Sequence, residues 1–268
     1  MALAELVDLD RYPIDDLESE AGRRLVGDCR ASLTELGACE LPGFVRAAVA
    51  GVVAQEAEAL RGQAHRTETV HDIDFSGRSP ADLSPTDPLR TQVRSAKLGV
   101  ALDRIPATSR LRELYEAPEL TAFVGAALEL APIFRHADEL GALNLMLYDE
   151  GDELGWHFDN ADFVVTLLLQ EPSGGGAFEY VPALRTPDDR NDDGVRRLLA
   201  GERNGVRSAS GRPGTLALFR GHLSPHRVTP VIGPRPRINA VLSYASKPDA
   251  RLSESVHRIF YGRSQTHQ

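Results

Sequence analysis

The second half of the chain is a succession of short apolar runs, and glycine or proline separates each run from the next. Runs of this length that are rich in Val, Leu and aromatic residues are typical of β-strands bounded by turns. Many short strands joined by tight turns favour an antiparallel sandwich or barrel. The runs that carry this prediction are Leu143–Tyr148, Phe163–Gln170, Thr215–Phe219, Arg227–Val231 and Ile238–Tyr244.

The first half has a different pattern. Apolar residues recur at spacings of three and four over Ile14–Leu36, Val45–Leu60 and Ser109–Leu130, which predicts helices. A short strand is expected between the first two, over residues 37–43. The polar segment 62–91 is interpreted as a long surface excursion, of the kind that often borders an active site.

We therefore expect one domain over residues 1–268. Residues 1–130 form a mostly helical support region, and residues 131–248 form the β core. A charged insert at 182–213 interrupts the strands and contains a short helix near residues 193–200. The insert is either a lid or a solvated loop, and the sequence favours neither.

Two His-x-Asp triplets, His157-Phe-Asp159 and His136-Ala-Asp138, are candidate metal ligands. Residues i and i+2 of a strand share a face, so either pair is able to chelate an ion. The first triplet lies between a turn and the long run 163–170, whereas His136 lies among charged residues at a strand end. We therefore assign His157 and Asp159 to the metal and expect a structural or substrate-contacting role for His136.

The second histidine ligand is expected to be His226, which opens the run 226–231, with His222 in the preceding turn as the alternative. Two histidines and a carboxylate form the facial triad of non-haem Fe(II) oxygenases. Arg237 begins the next strand, where a buried cation needs a partner, and the far carboxylate of a 2-oxo acid would supply one. Arg235 is the runner-up for this role.

The composition of the chain limits the kinds of partner that we expect it to bind. The formal net charge of −9 argues against nucleic acid. No apolar run is long enough to span a membrane, and the first ten residues do not resemble a secretory signal. Two cysteines, in no metal-binding spacing, fit a reducing compartment. We expect a cytoplasmic protein that acts on a small molecule, with a homodimer compatible with the sequence.

With these residues in place, the chain resembles the Fe(II)/2-oxoglutarate-dependent dioxygenases. Several segments also resemble the actinobacterial group that includes the free-lysine halogenases and their hydroxylase relatives. These segments are residues 155–160, 175–182, 226–231 and 235–244. The resemblance implies a double-stranded β-helix (jelly-roll) core buttressed by N-terminal helices, with Fe(II) as cofactor and 2-oxoglutarate and O2 as co-substrates.

One residue departs from the halogenase pattern. Halogenases of that group carry a small residue where this chain has Asp159, which leaves a coordination position for chloride. The resemblance therefore implies hydroxylation (EC 1.14.11.-) of an unactivated C–H, with a free amino acid such as lysine, or another basic amino acid, as the substrate.

Further residues complete the expected site. The side chains expected to bind 2-oxoglutarate are Arg237, Asn144, Tyr148, Thr166 and Asn239. The side chains expected to contact the substrate are Asn160, Asp138, Glu139, Arg94 and Trp156. For Asn160, Asp138, Glu139 and Arg94, an ordinary structural or surface role is an equal alternative.

Three other functions remain open from the sequence. The first is a hydroxylase of a peptide or carrier-tethered residue, and the second is a jelly-roll that binds a metabolite without turnover. The third is a zinc hydrolase that uses the same three ligands. Formation of succinate distinguishes an oxygenase from a binding protein, and loss of activity without O2 excludes the hydrolase.

Overall fold

The structure is a computed structural model that describes residues 3–75 and 83–264. Within these ranges the helices are α1 (Leu3–Leu6), α2 (Glu20–Leu36), α3 (Ala47–Ala59), α4 (Arg110–Glu116), α5 (Pro118–Leu128), α6 (Asp192–Leu199) and α7 (Glu254–Tyr261). The strands are β1 (Ala38–Leu41), β2 (His65–His71), β3 (Val93–Ala101), β4 (Phe134–Arg135), β5 (Leu143–Tyr148), β6 (Glu153–His157), β7 (Val164–Gln170), β8 (Gly174–Gly175), β9 (Phe178–Tyr180), β10 (Arg207–Ser208), β11 (Leu216–Phe219), β12 (His226–Val228), β13 (Val231–Ile232), β14 (Arg237–Leu242) and β15 (Tyr244–Ala245).

Local signals decide where the N-terminal helices begin and end. The Ser19 hydroxyl accepts a hydrogen bond from the Gly22 amide, so α2 begins at Glu20 rather than near Ile14. The helix predicted over 109–130 is two helices, because Pro118 disfavours helical backbone at the residue before it and lacks an amide hydrogen.

Eleven of the described strands form one antiparallel sheet in the order β1-β11-β7-β14-β5-β3-β6-β12-β9-β10, with β2 paired to β3. The sheet curls at β3, which pairs with β5 over residues 98–101 and with β6 over residues 95–96. A large layer (β1, β11, β7, β14, β5, β3 and β2) therefore faces a small layer (β6, β12, β9 and β10). The predicted β-rich jelly-roll core with flanking helices is confirmed.

Alternation along the strands separates two faces of the large layer. Leu143, Leu145 and Leu147 of β5 belong to the main core, which the N-terminal helices cover. The intervening Met146 and Tyr148 point the other way and pack with residues of the small layer and its neighbouring strand, Val228 and Val231. The inner face therefore encloses the space between the layers.

The first 130 residues contribute more β-structure than the helical pattern indicates. Besides the predicted strand β1, the chain forms β2 within the segment 62–91, which we expected to be a surface excursion; residues 76–82 of that segment lie outside the described ranges. The strand β2 lacks the apolar alternation that predicts strands, because its inward positions include the polar residues Thr67 and His71. The prediction of a loop over this strand was therefore wrong.

The insert and the C-terminal helix cover different parts of the sheet. Helix α6, close to its predicted position, packs over the outside of the small layer through Val195 and Leu198. Helix α7, which the sequence pattern did not predict, packs against β2 and β3. No helix within the described ranges is both long and apolar enough to cross a membrane.

Candidate metal centre and adjoining cavity

Two histidines from adjacent strands of the small layer lie side by side. His157 is the last residue of β6 and His226 is the first of β12, and the two are partners in the antiparallel register. Their ring centroids are 4.0 Å apart. Asp159 lies just beyond the end of β6, and its backbone amide donates to the carbonyl of Gly221, in the turn that leads to β12. The fold thus brings all three predicted ligands together.

The three side chains point their donor atoms at a common centre. Asp159 Oδ1 lies 3.6 Å from His157 Nε2 and 3.5 Å from His226 Nε2. One ligand atom from each residue lies within 4.8 Å of the others. A search of the described residues for three or more His, Cys, Asp or Glu side chains with metal-binding spacing finds this one group.

Backbone carbonyl groups fix the orientation of both imidazole rings. His157 Nδ1 lies 2.8 Å from the Gly155 carbonyl oxygen, and His226 Nδ1 lies 3.1 Å from that of Ser224. A ring that donates its Nδ1 hydrogen to a carbonyl has a lone pair on Nε2, which is the tautomer that binds metals through Nε2. Both Nε2 atoms therefore face Asp159 as acceptors.

The electrostatics also suit a cation. Burial, together with the neighbouring His226, lowers the pKa of His157 to about 4, which keeps the ring neutral at neutral pH. Burial raises the pKa of Asp159, but His226 and His157 outweigh that effect and hold it well below its usual range. The carboxylate Oδ2 is buried and has no hydrogen-bond partner among the residues that the structure describes. An orphaned carboxylate oxygen beside two imidazole lone pairs fits a divalent ion, and this donor set is the one that binds Fe(II) with positions left for 2-oxoglutarate and O2.

Gly221 is a further residue of the centre that the sequence analysis missed. A Cβ atom at this position would overlap Asp159 Oδ2 and lie 2.9 Å from His226 Cε1. Only glycine lets the turn pass this close to the carboxylate. The signal available in the sequence was a glycine in the turn five residues before His226.

A cavity of about 290 Å³ adjoins the centre between the two layers. Phe178 and Phe219, whose rings pack on His226 at 5.4 and 4.8 Å, line it. Thr166 and Arg237 also line it. The cavity therefore has a buried cation in its wall and is separated from His226 by two aromatic rings.

Arg237 is a buried cation in the wall of this cavity. It begins β14 opposite Tyr148 and is 9% exposed, and its buried Nε has no hydrogen-bond partner within residues 3–75 and 83–264. Burial lowers its pKa, and Tyr148 partly opposes this effect. An unpaired buried guanidinium calls for an anion, and a carboxylate matches it in two parallel hydrogen bonds. Arg235 is exposed, so the structure favours Arg237 of the two alternatives.

The other residues expected around 2-oxoglutarate divide into two groups. Thr166 lines the cavity, and Tyr148 and Asn239 are buried on the same inner face as Arg237. Burial raises the pKa of Tyr148 to about 12, although Arg237 opposes the shift, so the hydroxyl stays protonated. Asn144 lies at the opposite end of β5 and donates to the Gly141 carbonyl oxygen, which corrects its assignment.

Trp156 does not face the metal centre. Adjacent residues on a strand point to opposite faces, so Trp156 lies on the outer side of β6 from His157. It is buried with residues of α6, and the Arg227 guanidinium lies 4.9 Å from its ring centroid. The expected substrate contact is corrected to a packing role beneath the insert. Asn160, also expected to contact substrate, is exposed just after the ligand pair.

Asp138 and Arg94 are engaged elsewhere. Asp138 accepts hydrogen bonds from the amides of Leu140, Gly141 and Leu252 and from His257, so it anchors the segment that leads into α7. Arg94 donates to Glu68 and to the Gly151 carbonyl oxygen. Their expected roles with substrate are corrected to structural ones, because their polar groups are already bonded. Glu139 is exposed beside Asp138.

The two alternative histidines lie outside the cluster of ligands. His136 borders a separate groove of about 870 Å³ between α4, α5 and β4. Its backbone amide donates to the Ser243 carbonyl oxygen, and its buried Nδ1 has no hydrogen-bond partner in the described part of the chain. His222 stays in the turn that precedes His226.

The segment after β2 and the insert meet at the residue between the first two ligands. The Phe158 amide donates to the Ile73 carbonyl oxygen, and the Arg185 guanidinium lies 3.7 Å from the Phe158 ring centroid. Arg185, which is buried, forms an ion pair with Asp74 at 2.5 Å. Phe75 packs its ring edge-on against His157 at 5.1 Å. These contacts, which the sequence did not reveal, enclose the metal centre on one side.

Comparisons with known proteins agree with this geometry. A family model described as Halogenase D matches residues 22–260. A search of curated protein sequences found no match.

Solved structures of similar fold include an oxidoreductase of the 2OG-Fe(II) oxygenase family from Burkholderia pseudomallei (16% identity, TM-score 0.52, covering 84% of this chain and 92% of that chain). A prolyl-4-hydroxylase from Pseudomonas putida is 17% identical, with a TM-score of 0.51, over 81% of this chain and 97% of that chain. The epimerase SnoN, in complex with Fe3+, alpha ketoglutarate and nogalamycin RO, is 15% identical, with a TM-score of 0.54, over 83% and 84% of the two chains.

Proposed function

Since the chain belongs to the Halogenase D family and has the fold of 2-oxoglutarate–Fe(II) oxygenases, we propose that it hydroxylates an unactivated C–H bond of a small substrate. The substrate class that we propose is a free amino acid, with lysine or another basic amino acid first. We further propose that residues 1–268 act as one domain.

The observation that carries hydroxylation, rather than halogenation, is the position of Asp159. Its carboxylate lies within 3.6 Å of both histidine Nε2 atoms, so it occupies the place of a third protein ligand. A chloride ion would need that position to be free of a carboxylate. The family description favours a halogenase, and Asp159 is the reason to propose the hydroxylase type for this member.

In this proposal His157, Asp159 and His226 hold the metal and keep their orientation through the carbonyl groups of Gly155 and Ser224. Fe(II) with 2-oxoglutarate and O2 supplies the oxidation of the C–H bond, with succinate and CO2 as the by-products. Arg237 pairs with the distal carboxylate of 2-oxoglutarate. Phe178 and Phe219 exclude water from the cavity beside His226.

The test is succinate formation by Fe(II)-loaded protein with 2-oxoglutarate and O2, across the free amino acids, with product masses recorded with and without chloride. We expect one or a few amino acids to stimulate succinate and to gain one oxygen atom. A chlorinated product would instead establish halogenation. Succinate that forms without stimulation by any amino acid would indicate that the substrate is a peptide or a carrier-tethered residue.

A pair of arginine variants tests the co-substrate assignment. Arg237→Met should raise the 2-oxoglutarate concentration needed for half-maximal succinate formation by roughly 100-fold, because a charged hydrogen-bond pair is lost. Arg235→Met, two residues earlier and exposed, is the matched control. Equal effects of the two substitutions would contradict the assignment. A wild-type protein that binds metal yet forms no succinate under any condition would favour the non-catalytic binding protein.

A further inference from the structure

Lys97 is a buried lysine that the proposed chemistry does not use. The chain contains two lysines, Lys97 and Lys247. Lys247 is exposed, whereas Lys97 lies in the middle of β3 and is 8% exposed. Lysine is among the residues least often fully buried, so its place in the interior of the sheet needs a physical reason.

The side chain of Lys97 belongs to the inner face of β3, at the part of that face where α7 packs, and the Phe260 ring lies 5.4 Å from its Nζ. Gly99 of β3 is the register partner of Met146, which packs with the inner residues Tyr148 and Val228. Lys97 is two residues from Gly99 and therefore shares this inner face. Ser95, two residues in the other direction, accepts a hydrogen bond from the Gly155 amide of β6, the strand that ends at His157. On the inner face of β3, Lys97 is therefore the next residue after Ser95. It lies about 7 Å along the strand from the point where β3 meets the metal-binding strand.

No anion of the described residues pairs with this ammonium group. Within residues 3–75 and 83–264, Lys97 has no hydrogen bond or ion pair, and the aromatic ring of Phe260 lies 5.4 Å from its Nζ. The carboxylate with an electrostatic effect on Lys97 is Asp152, and Arg66 already binds both of its oxygens, at 2.6 and 2.5 Å. Burial lowers the pKa of Lys97 to about 8, with Asp152 opposing the shift, so the group is mainly a cation at neutral pH.

The charges of the co-substrate do not account for Lys97. 2-Oxoglutarate has two carboxylates: in the proposed function one would belong to the metal centre, and the other would pair with Arg237. Among the residues that the structure describes, a second buried cation on the same inner face is therefore left without an anion, and such a charge is costly unless a ligand neutralises it.

We propose that Lys97 binds the carboxylate of the substrate. The substrate class is then a small acid with a free carboxylate, such as a free amino acid, rather than a residue inside a peptide or one tethered to a carrier through its carboxyl group. This inference rests on the proposed function, because it places the substrate in the space beside the metal centre.

A kinetic comparison of acids with amides tests the pairing. For each amino acid that stimulates succinate formation, kcat/KM is measured for the free acid and for its carboxamide, with wild-type protein, Lys97→Met and Lys247→Met. Wild-type protein and Lys247→Met should prefer the acid by roughly 100-fold, the loss typical of a charged hydrogen bond. Lys97→Met should lose this preference, through a lower kcat/KM for the acid. A preference that survives in Lys97→Met overturns the proposal.

A binding measurement that needs no turnover keeps this test separate from the proposed function. Protein labelled with 13C at lysine Cε gives two signals, and Lys247 is the internal reference. With Zn(II) in place of iron and 2-oxoglutarate present, the Lys97 signal should shift when the free amino acid is added and stay in place when its amide is added. A Lys97 signal that responds to 2-oxoglutarate alone, or to none of the amino acids, overturns the inference. Absence of succinate with a shifted Lys97 signal would instead reject the oxygenase and keep the carboxylate site.

Discussion

Asp159 shows how closely single residues are packed in the candidate metal centre. Its carboxylate contacts two histidines, one on its own segment and one on a distant strand, and a glycine from the turn before that strand. The identity of each residue matters at atomic scale, because one added carbon at Gly221 would occupy the space of a ligand oxygen. Predictions at this scale therefore concern metal affinity.

Asp159→Ala should weaken Co(II) binding by 100-fold or more, since loss of a direct ligand exceeds the roughly 10- to 100-fold cost of losing an outer partner. The single tryptophan, Trp156, lies next to His157, so its fluorescence should report binding of this quenching ion. Asp162→Ala, exposed three residues later, is the control. Retention of wild-type affinity in Asp159→Ala would remove Asp159 from the ligand set.

Gly221→Ala should lower Co(II) affinity by about 10- to 100-fold, because its Cβ would push the Asp159 carboxylate and the His226 ring out of position. The same fluorescence titration measures it. Gly51→Ala in α3, where an added Cβ meets nothing within 4 Å, should leave affinity unchanged. If the two variants bind alike, the close approach at Gly221 has no role in the centre.

At the scale of elements, the insert and the segment after β2 hold one another over the outer side of the metal-binding strand. Asp74 pairs with Arg185 and with Arg190, and Asp87 pairs with Arg196 of α6. Asp74 is partly buried, which raises its pKa, but Arg185 and Arg190 outweigh this effect and lower it. The insert is therefore coupled to the metal centre rather than lying free in solvent.

Arg185→Met should lower the free energy of unfolding by about 2 kcal/mol, because it leaves Asp74 with one exposed partner and removes the cation from the Phe158 ring. Amide hydrogen exchange should rise over residues 184–199 and stay unchanged over β5 and β14. Arg197→Met is the control, since Arg197 is exposed and lies 3.8 Å from its acidic partner. Faster exchange throughout the sheet would show that Arg185 supports the whole fold instead of the insert.

At the scale of the whole molecule, the protein buries several titratable groups in or beside the jelly-roll. Burial lowers the pKa of His71 and of His136, which lie on different elements and in different surroundings. Both rings are neutral in the folded protein at pH values where the unfolded chain, with a histidine pKa near 6.5, begins to bind protons.

The metal-free protein should therefore lose stability as the pH falls below about 6.5. In that range the unfolded state binds more protons than the folded state, so the free energy of unfolding rises with pH and levels off above it. Urea unfolding at pH 5.5, 6.5, 7.5 and 8 measures the slope, and His136→Asn should make it shallower. Stability that increases on acidification from pH 7.5 to 5.5 would show that these histidines gain protons on folding.

The sequence by itself determined the strand pattern of the second half, the helix of the insert and the residues with metal-binding chemistry. These features are local: period-two alternation fixes which residues share a face, and His-x-Asp needs no distant contact to place both side chains together. The strand pattern also favoured Arg237 over Arg235, and the structure adds that Arg237 is buried whereas Arg235 is exposed.

Only the tertiary structure decided the contacts between segments distant in the chain. β2 is too polar to be read as a strand, yet its pairing with β3 places His71 and Thr67 inside. Trp156 lies on the face of β6 opposite to the predicted ligands. The Asp138 carboxylate accepts a hydrogen bond from the Leu252 amide, in the segment before α7. Lys97 likewise lies next to the ring of Phe260, which belongs to α7, far along the chain. Burial and hydrogen-bond satisfaction are properties of the assembled chain, so no local pattern contains them.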